Sequence, residues 1–538
     1  MTITQRVDRF LALHLQFMPV NATFMGIDGH DHELPPADAG ARERELTALR
    51  DLEGEVARLP VGTTASERIE AAALLGQVRM GVRELESRPR YHNPAWYTGE
   101  VAFGIISLLL PVTPERSAAA LLQRVAAIPR YLREGSERLA GRAIPADWRT
   151  RAEAEGRAIV RLLEVGLPQH PMCDDAIAAA AAAAVPAVKE FVAGLAGRAD
   201  ADPAAGREYL DFLMREVHRL PYSSAEAEDL AQAGFDRALA ALTACAQRLN
   251  PERSWQEQLA DLAREHPDLA GVMPAYERLN ADAMSAADAA DLVTPATEYG
   301  LSFEQLPAWA QPVAADLYFL FYRSPAAGRP GAGSVYWVFP PGADEEAYLR
   351  GQNYSTIKIT HAVHHGSIGH HTQNARARAA VGQLGRVAGT DCSAGIAMLS
   401  GGTLIEGWAC YTQNLLLEAE GFYQPTDELV LKHAELRNTA MCLADIRLHT
   451  GAWSLNDMRG FYVDALGLPP QRAWSEATRN SMYPATRLMY WLGTRAIKEA
   501  RAELGEGRTR AFHDELLSYG CVPVYSVIDE MRSGNLPA

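Results

Sequence analysis

The chain has 538 residues, of which 48% are hydrophobic, and its 51 basic and 67 acidic side chains give a net charge of −16 at neutral pH. This length allows one large helical domain or several smaller ones, and the hydrophobic content is typical of a globular protein. The acidic balance argues against nucleic acid as a partner. The sequence has no run of about 18 apolar residues with the character of a membrane span, so no membrane association is expected.

The cysteines and the N-terminus indicate the compartment. No two cysteines form a CxxC pair, which argues against both a disulfide framework and a thiolate zinc site. Residues 1–10 contain no apolar stretch of signal-peptide length. A cytoplasmic, reducing compartment is therefore expected. The six cysteines are Cys173, Cys245, Cys392, Cys410, Cys442 and Cys521.

The N-terminal part of the sequence has a helical pattern. Apolar residues recur at spacings of three and four within residues 7–18, 118–128 and 235–249, which predicts amphipathic helices. An alanine-rich stretch over residues 176–185, which ends at Pro186 and is flanked by charged residues, predicts a further helix of a soluble protein and not a membrane span.

One stretch departs from this pattern. A loop rich in glycine and proline leads into residues 335–339 (Val-Tyr-Trp-Val-Phe), which predict a short β-strand. The predicted fold is mainly all-α, with long helices around a deep central cleft and a minor β element. We expect an N-terminal helical part (residues 1–310) and a helical part that carries the site (residues 311–538), or one continuous domain.

Five of the fifteen histidines of the chain lie within eleven residues. A carboxylate, Glu406, follows in an apolar helix-like stretch, where an unpaired charge would be costly to bury. Imidazoles on one segment and a carboxylate on a following helix suit a divalent transition metal. The five histidines are His361, His364, His365, His370 and His371.

The spacing of these histidines constrains the backbone. His361 and His365 are four residues apart and share a face of a helix. His364 and His371 are seven apart, which on an ideal helix separates them by about 10 Å along the axis, too far for one ion. Glycines at 366 and 369 permit a bulge or break. Residues 356–373 are therefore predicted to form a helix that departs from regular α geometry between the two glycines.

Residues 363–373 (Val-His-His-Gly-Ser-Ile-Gly-His-His-Thr-Gln) resemble the His-Glu-x-x-Pro-Gly-His-His-x-Gln signature of the DUF885 family, bacterial proteins regarded as gluzincin-like relatives of metallopeptidases. The resemblance extends over nearly the whole chain. Its other motifs occur in the family's order, at residues 19–26 with 31–35, 406–411, 445–449, 489–493 and 512–520.

The resemblance implies roles for particular residues. His364, one of His370 and His371, and Glu406 correspond to metal ligands, and zinc is the expected ion, with Fe²⁺ or another divalent transition metal as the alternative. Tyr490 corresponds to a hydrogen-bond donor for a developing oxyanion. Residues expected beside the ligands or the substrate are His361, Tyr411, His449 and His513.

The chain departs from the family pattern close to this site. His365 stands where the signature has the Glu that would deprotonate a metal-bound water, and Gln413 stands where the family has a second Glu. These changes make the site less anionic. Three interpretations of His365 are open: a general base, an additional ligand for a metal other than zinc, or a mark of lost hydrolytic activity.

These alternatives give three functional hypotheses. The first is a zinc-dependent hydrolase of a small amide or short peptide. The second is a non-hydrolytic metalloenzyme, such as a lyase, isomerase or iron oxygenase. The third is a pseudoenzyme that binds a ligand or partner. In each case the expected partner is a small molecule or short peptide, and the sequence assigns no oligomeric state.

Overall fold

The computed structural model describes residues 2–58, 62–110, 117–314, 317, 322–328, 333–388 and 401–534. The described residues are 70% helical and include a small three-stranded sheet, which confirms the predicted mainly all-α class with a minor β element. The five cysteines in the described parts are free thiols, and Cys392 lies outside them.

Several helices begin at capping boxes, in which a Ser or Thr and an acidic or amide side chain three residues later bond to each other's backbone N–H groups. Thr2, Thr64, Ser223 and Ser254 start helices in this way. The helices of the first half are α1 (Ile3–Phe17), α2 (Pro19–Met25), α3 (Ala41–Val56), α4 (Ala65–Ser87), α5 (Pro94–Leu109), α6 (Ala118–Leu139), α7 (Ala146–Arg161), α8 (Asp175–Ala193), α9 (Arg207–Phe212), α10 (Ser224–Leu249), α11 (Trp255–Leu262) and α12 (Val272–Ala289).

The second half contains the elements that build the histidine-rich site. Its helices are α13 (Glu345–Gly351), α14 (Tyr354–Thr356), α15 (Thr372–Arg378), α16 (Gln383–Ala388), α17 (Gly402–Leu415), α18 (Pro425–His449), α19 (Leu455–Leu466), α20 (Pro470–Met482), α21 (Leu488–Leu504), α22 (Thr509–Ser518) and α23 (Val524–Arg532). Single turns of 3₁₀-helix lie at Arg90–His92, Leu167–Gln169, Leu269–Gly271 and Leu416–Glu418, and π-helical segments at Leu162–Gly166, Leu213–Val217, Ile357–His365 and Ser367–His371.

Two prolines lie inside helices. The alanine-rich helix α8 continues through Pro186 to Ala193. Helix α6 likewise continues through Pro129. Proline removes one helical hydrogen bond, and the packing of each helix against its neighbours outweighs that loss.

The sheet has the strand order β1–β3–β2, where β1 is Leu301–Gln305, β2 is Tyr322–Arg323 and β3 is Ser334–Val338. Strands β1 and β3 are parallel, and β2 pairs with β3 in the antiparallel direction. The predicted strand at residues 335–339 is thus confirmed within one residue. Every residue of β3 is buried, because the strand lies in the middle of the sheet and behind the histidine-rich segment.

The largest buried core includes residues from Val7 to Met531 and draws on both predicted parts of the chain. The division into two parts or one continuous domain stays a prediction. Helix α8 is long and apolar enough to cross a membrane, which is weak evidence for a span since core helices pass the same test. One face of α8, including Ile177, Val188 and Phe191, packs in this core.

Candidate metal centre

The five clustered histidines lie on a segment with π-helical geometry, in which backbone N–H groups bond to carbonyls five residues back. The segment runs over Ile357–His365, stops at Gly366 and resumes over Ser367–His371. Gly366 is extended (φ −90°, ψ −151°), Ser367 has a φ of +26°, and Gly369 is non-helical (φ −76°, ψ −124°). The predicted departure from α geometry between the two glycines is confirmed. We call residues 357–371 the histidine segment.

Both glycines of this break are required by close packing. A Cβ on Gly366 would lie 2.5 Å from Oδ1 of Asn280. A Cβ on Gly369 would overlap the carbonyl oxygens of Val363 and His364. The chain therefore folds back on itself at a point where only glycine fits, and the second group of histidines returns towards the first.

The polar backbone groups exposed by the break are bonded by side chains from other elements. Oδ1 of Asn280 accepts from the N–H of Ser367 at 2.7 Å. The hydroxyl of Thr372 donates to the carbonyl of Ser367 at 2.7 Å, and the indole N–H of Trp408 donates to the carbonyl of Ile368 at 2.9 Å. These bonds make the irregular conformation a defined one, since buried backbone groups are costly to leave unpaired.

Three of the histidines form a cluster. The available ring nitrogens of His364, His365 and His370, the histidine cluster, all lie within 4.8 Å of one another. Nε2 of His364 is 3.7 Å, and Nε2 of His370 is 3.6 Å, from Oε2 of Glu406. The side chains of His364, His370 and Glu406 are 11%, 6% and 14% exposed, whereas His365 is half-buried. His365 is thus the member most accessible to a substrate.

Close packing of α17 against α21 brings Glu406 to the cluster. A Cβ on Gly407 would lie 2.6 Å from the carbonyl carbon of Gly493, and one on Gly493 would overlap the backbone of α17. The hydroxyl of Thr494 donates to the carbonyl of Gly407 at 3.1 Å. The same crossing places Tyr490 beside Glu406, where the charge of Glu406 acts on the tyrosine hydroxyl.

The start of α21 is held by a buried carboxylate. Asp445, which is 0% exposed, accepts from the backbone N–H groups of Arg487 at 2.9 Å and Leu488 at 3.1 Å. Burial raises the pKa of Asp445 to about 7, against the lowering effect of these bonds. Asp445 thereby fixes the turn from which α21 presents Tyr490 to Glu406.

The electrostatics favour neutral imidazoles beside an ionised carboxylate. Burial, followed by the charges of neighbouring groups, lowers the pKa of His364 and His365 well below the usual range. Burial would raise the pKa of Glu406, but contact with His370 and the neighbouring hydroxyl of Tyr490 hold it below the ordinary value. Neutral imidazole and ionised carboxylate are the forms that bind a metal.

The ring of His371 points away from the cluster. Its Nδ1 lies 3.2 Å from the hydroxyl of Ser334 on β3 and 3.4 Å from that of Tyr322 on β2. His361 also faces the sheet, with Nδ1 2.5 Å from the hydroxyl of Tyr336. Of the two alternatives at 370 and 371, the geometry therefore brings only His370 to His364 and Glu406.

His449 is fully buried and bonded to backbone on both sides. Nδ1 accepts from the N–H of Ala205 at 3.1 Å, and Nε2 lies 3.1 Å from the carbonyl oxygen of Asn480. Neither partner belongs to the histidine cluster. Its contacts link α18 to α20 and to the loop before α9, which is a structural task.

His513 and Tyr411 form a second buried pair. Nδ1 of His513 donates to the carbonyl of Leu292 at 2.6 Å, which leaves Nε2 to accept from the hydroxyl of Tyr411 at 2.9 Å. That hydroxyl accepts in turn from Arg501 at 3.1 Å, and Arg501 is paired with Glu418. The pair ties α17 to α21 and α22, so it supports the helix that carries Glu406.

Four residues that build the site were not assigned a role from the sequence. Trp408, Asp445 and Gly493 lie in the motifs at residues 406–411, 445–449 and 489–493, so the motifs themselves were the available signal. Asn280 lies in no such motif, and only the fold brings α12 against the histidine segment.

Two solved structures share the fold over the full length. One is described as a putative lipoprotein of unknown function from Shewanella oneidensis, with a TM-score of 0.76 at 17% identity, covering 99% of this chain and 100% of its own. The other is described as a putative lipoprotein from Colwellia psychrerythraea, with a TM-score of 0.79 at 16% identity and 99% coverage of both chains. No curated protein matches the sequence.

A family model matches residues 19–531, almost the whole chain, and its description is bacterial protein of unknown function, DUF885. The matched range includes the histidine segment, the Glu406 helix, Asp445 and Tyr490. The chain belongs to the DUF885 family.

Proposed function

We propose that the protein is a metal-dependent hydrolase of a small amide or short peptide, with zinc as the expected ion. The observation that carries this proposal is the convergence of His364 and His370 on Glu406, with Nε2 of the two rings 3.7 and 3.6 Å from Oε2 of the carboxylate. Ligand atoms about 2.0–2.1 Å from one tetrahedral zinc lie about 3.3–3.4 Å from each other. The two imidazole–carboxylate distances are close to that spacing.

The donor set also fits such an ion chemically. Two neutral imidazoles and one carboxylate leave a coordination position open, as catalytic zinc sites do. When bound, zinc supplies Lewis acidity that polarises a carbonyl and lowers the pKa of water.

His365 and Tyr490 are the residues proposed to act on the reacting groups. A neutral His365 accepts the proton of the attacking water at a ring nitrogen and passes it to the leaving amine. Burial and the charge of Glu406 raise the pKa of Tyr490, so its hydroxyl keeps its proton and donates a hydrogen bond to the developing oxyanion. Both side chains are half-buried, in contrast to His364 and His370.

The substitution His365→Glu tests this assignment, because it restores the carboxylate of the family signature. Hydrolysis of a panel of N-acyl amino acids and dipeptides should persist or rise in the variant, and His365→Ala should lose it. Both variants should retain metal, which elemental analysis measures. Equal hydrolysis by the wild type and His365→Ala would contradict a proton-transfer role.

A second candidate is a non-hydrolytic metalloenzyme with His365 as a ligand. The observation in its favour is the grouping of the His365 nitrogen with those of His364 and His370 within 4.8 Å. Three imidazoles and a carboxylate suit iron as well as zinc. Iron in the protein as isolated, together with metal loss in His365→Ala, would favour this candidate.

The cytoplasmic location expected from the sequence stays a proposal. The five described cysteines are free, as in a reducing compartment. The description of the two similar structures as putative lipoproteins points the other way. Cell fractionation decides: recovery with the soluble cytosol supports the proposal, and recovery with membranes contradicts it.

A further inference from the structure

Strand β3 contacts the histidine segment on both sides of its break. Ser334 and Tyr336 are two residues apart on this strand, so their side chains point to the same face of the sheet. The hydroxyl of Ser334 is 3.2 Å from Nδ1 of His371, at the end of the segment, and the hydroxyl of Tyr336 is 2.5 Å from Nδ1 of His361, in its first half. The strand therefore fixes the segment before and after Gly366.

The bond between Tyr336 and His361 is buried and has a defined direction. Tyr336 is 1% exposed. Burial lowers the pKa of His361 to about 4, so its ring is neutral, and Nδ1 accepts from the phenol hydroxyl. The ring of Tyr276 stacks on that of His361, with centroids 5.3 Å apart and planes 30° apart. His361 is thus held by a hydrogen bond at its edge and by an aromatic ring against its face.

The ring of His365 lies against this pair. It is nearly parallel to the ring of His361, with 18° between the planes and 6.3 Å between the centroids, and its centroid is 5.9 Å from that of Tyr336. It also lies 4.8 Å from the ring of His364 and 5.6 Å from that of His370. Rings at these separations interact and prefer defined relative orientations. His365 therefore contacts both proposed imidazole ligands and the pair of Tyr336 and His361.

These contacts depend on an aromatic side chain at position 365. An imidazole has a ring plane that neighbouring rings orient, whereas a carboxylate has no ring. Packing against Tyr336 and His361 therefore orients a histidine at this position and would not orient a glutamate in the same way.

We propose that Tyr336 is a positioning residue for hydrolysis, which acts through His361 to hold the ring of His365 in the orientation that accepts the proton of the attacking water. This inference rests on the proposed metal-dependent hydrolase and on His365 as its proton acceptor. Loss of the Tyr336 hydroxyl should slow the reaction without releasing the metal, because the groups that bind the ion remain in place.

The kinetic test uses zinc-loaded full-length protein and the best substrate among the N-acyl amino acids and dipeptides. Tyr336→Phe should lower kcat by about tenfold, the effect of one hydrogen bond, and should leave KM and zinc content unchanged. In the His365→Glu background the same substitution should change kcat by less than about twofold, because the carboxylate has no ring to orient. Equal losses in both backgrounds would show a merely structural role and overturn the proposal.

Two further variants control for the position of the missing group. Tyr322→Phe removes another buried hydroxyl of the same sheet, 3.0 Å from that of Ser334 and 3.4 Å from Nδ1 of His371, and should keep the kcat of the wild type. His361→Gln should reproduce the loss seen in Tyr336→Phe, and the double variant should lose no more than either single one. A loss in Tyr322→Phe equal to that in Tyr336→Phe would contradict the assigned role.

A thermodynamic cycle tests the positioning of His365 without any substrate. Its members are the metal-free wild type, Tyr336→Phe, His365→Ala and the double variant, each unfolded in urea. If Tyr336 positions His365, the shift in the denaturation midpoint of the double variant should be smaller than the sum of the single shifts. Additive shifts would overturn the inference whatever the activity. Non-additive shifts in a protein that hydrolyses no member of the panel would contradict the proposed function and support the positioning of His365 by Tyr336.

Discussion

Buried histidines are of two kinds in this protein. In the histidine cluster, ring nitrogens converge on one another and on Glu406. His449 and His513, both 0% exposed, direct their ring nitrogens to backbone groups and to the hydroxyl of Tyr411. Burial is therefore common to both kinds, and only convergence distinguishes a candidate ligand from a structural histidine.

The difference follows from what satisfies each imidazole. A buried neutral imidazole can donate a hydrogen bond from one ring nitrogen and accept one at the other. When both bonds are formed, the ring is satisfied and needs no metal ion. Neutral nitrogens that face each other across a few ångströms, with a carboxylate beside them, are stabilised by a cation between them. The two kinds of histidine should respond differently to substitution.

The largest expected effect is a difference in metal content between variants of two adjacent residues of the histidine segment. His370→Gln should remove bound metal almost completely, because it deletes a proposed ligand. His371→Gln should retain it, since that ring faces Ser334 and Tyr322. Elemental analysis of both variants after zinc reconstitution measures this. Equal metal contents would remove the distinction between the two positions.

The next effect concerns the carboxylate. Glu406→Gln should weaken zinc binding by more than about 100-fold, because an amide oxygen lacks the charge of the ligand. Tyr490→Phe, which removes a hydroxyl beside Glu406 but no proposed ligand, should weaken it by no more than about tenfold. Competition with a fluorescent zinc chelator measures both dissociation constants. A larger effect of Tyr490→Phe than of Glu406→Gln would contradict the assigned roles.

Substitution of a structural histidine should lower the stability of the fold without changing the metal content. His513→Gln breaks the bonds to Leu292 and Tyr411, and should lower the free energy of unfolding by about 1–3 kcal/mol. The zinc content of the folded variant should remain that of the wild type. Urea denaturation and elemental analysis together test this. Loss of zinc without loss of stability would place His513 among the ligands.

The smallest effect is a pH dependence of the metal-free protein. Burial lowers the pKa of His449 to about 3 and of His513 to about 4, whereas a histidine in the unfolded chain has a pKa of about 6.5. Between pH 6.5 and 4 the unfolded state binds more protons, so stability is full above this window and falls as pH decreases. Each such group contributes up to about 1.4 kcal/mol per pH unit. Denaturation midpoints that are unchanged from pH 7 to pH 5 would contradict neutral buried imidazoles.

The sequence predicts much of the fold because its signals are local. Periodic apolar residues specified helices such as α1, and the glycines at 366 and 369 predicted the break in the histidine segment. The sequence was less informative about side-chain positions that depend on packing between distant segments. It did not separate His370 from His371, because that choice depends on β2 and β3 behind the segment.

The same limit applies to the supporting residues. Asp445 holds the start of α21 through backbone N–H groups about forty residues away, a relation that no local pattern contains. Composition and spacing cannot supply that information.

We propose that His364, His370 and Glu406 together hold one metal ion. The most direct test is the metal content of the folded full-length protein, measured by inductively coupled plasma mass spectrometry as isolated and after zinc reconstitution followed by desalting. If these three residues are ligands, the folded protein should contain one metal ion per chain. Folded wild-type protein that retains no metal after reconstitution would contradict it.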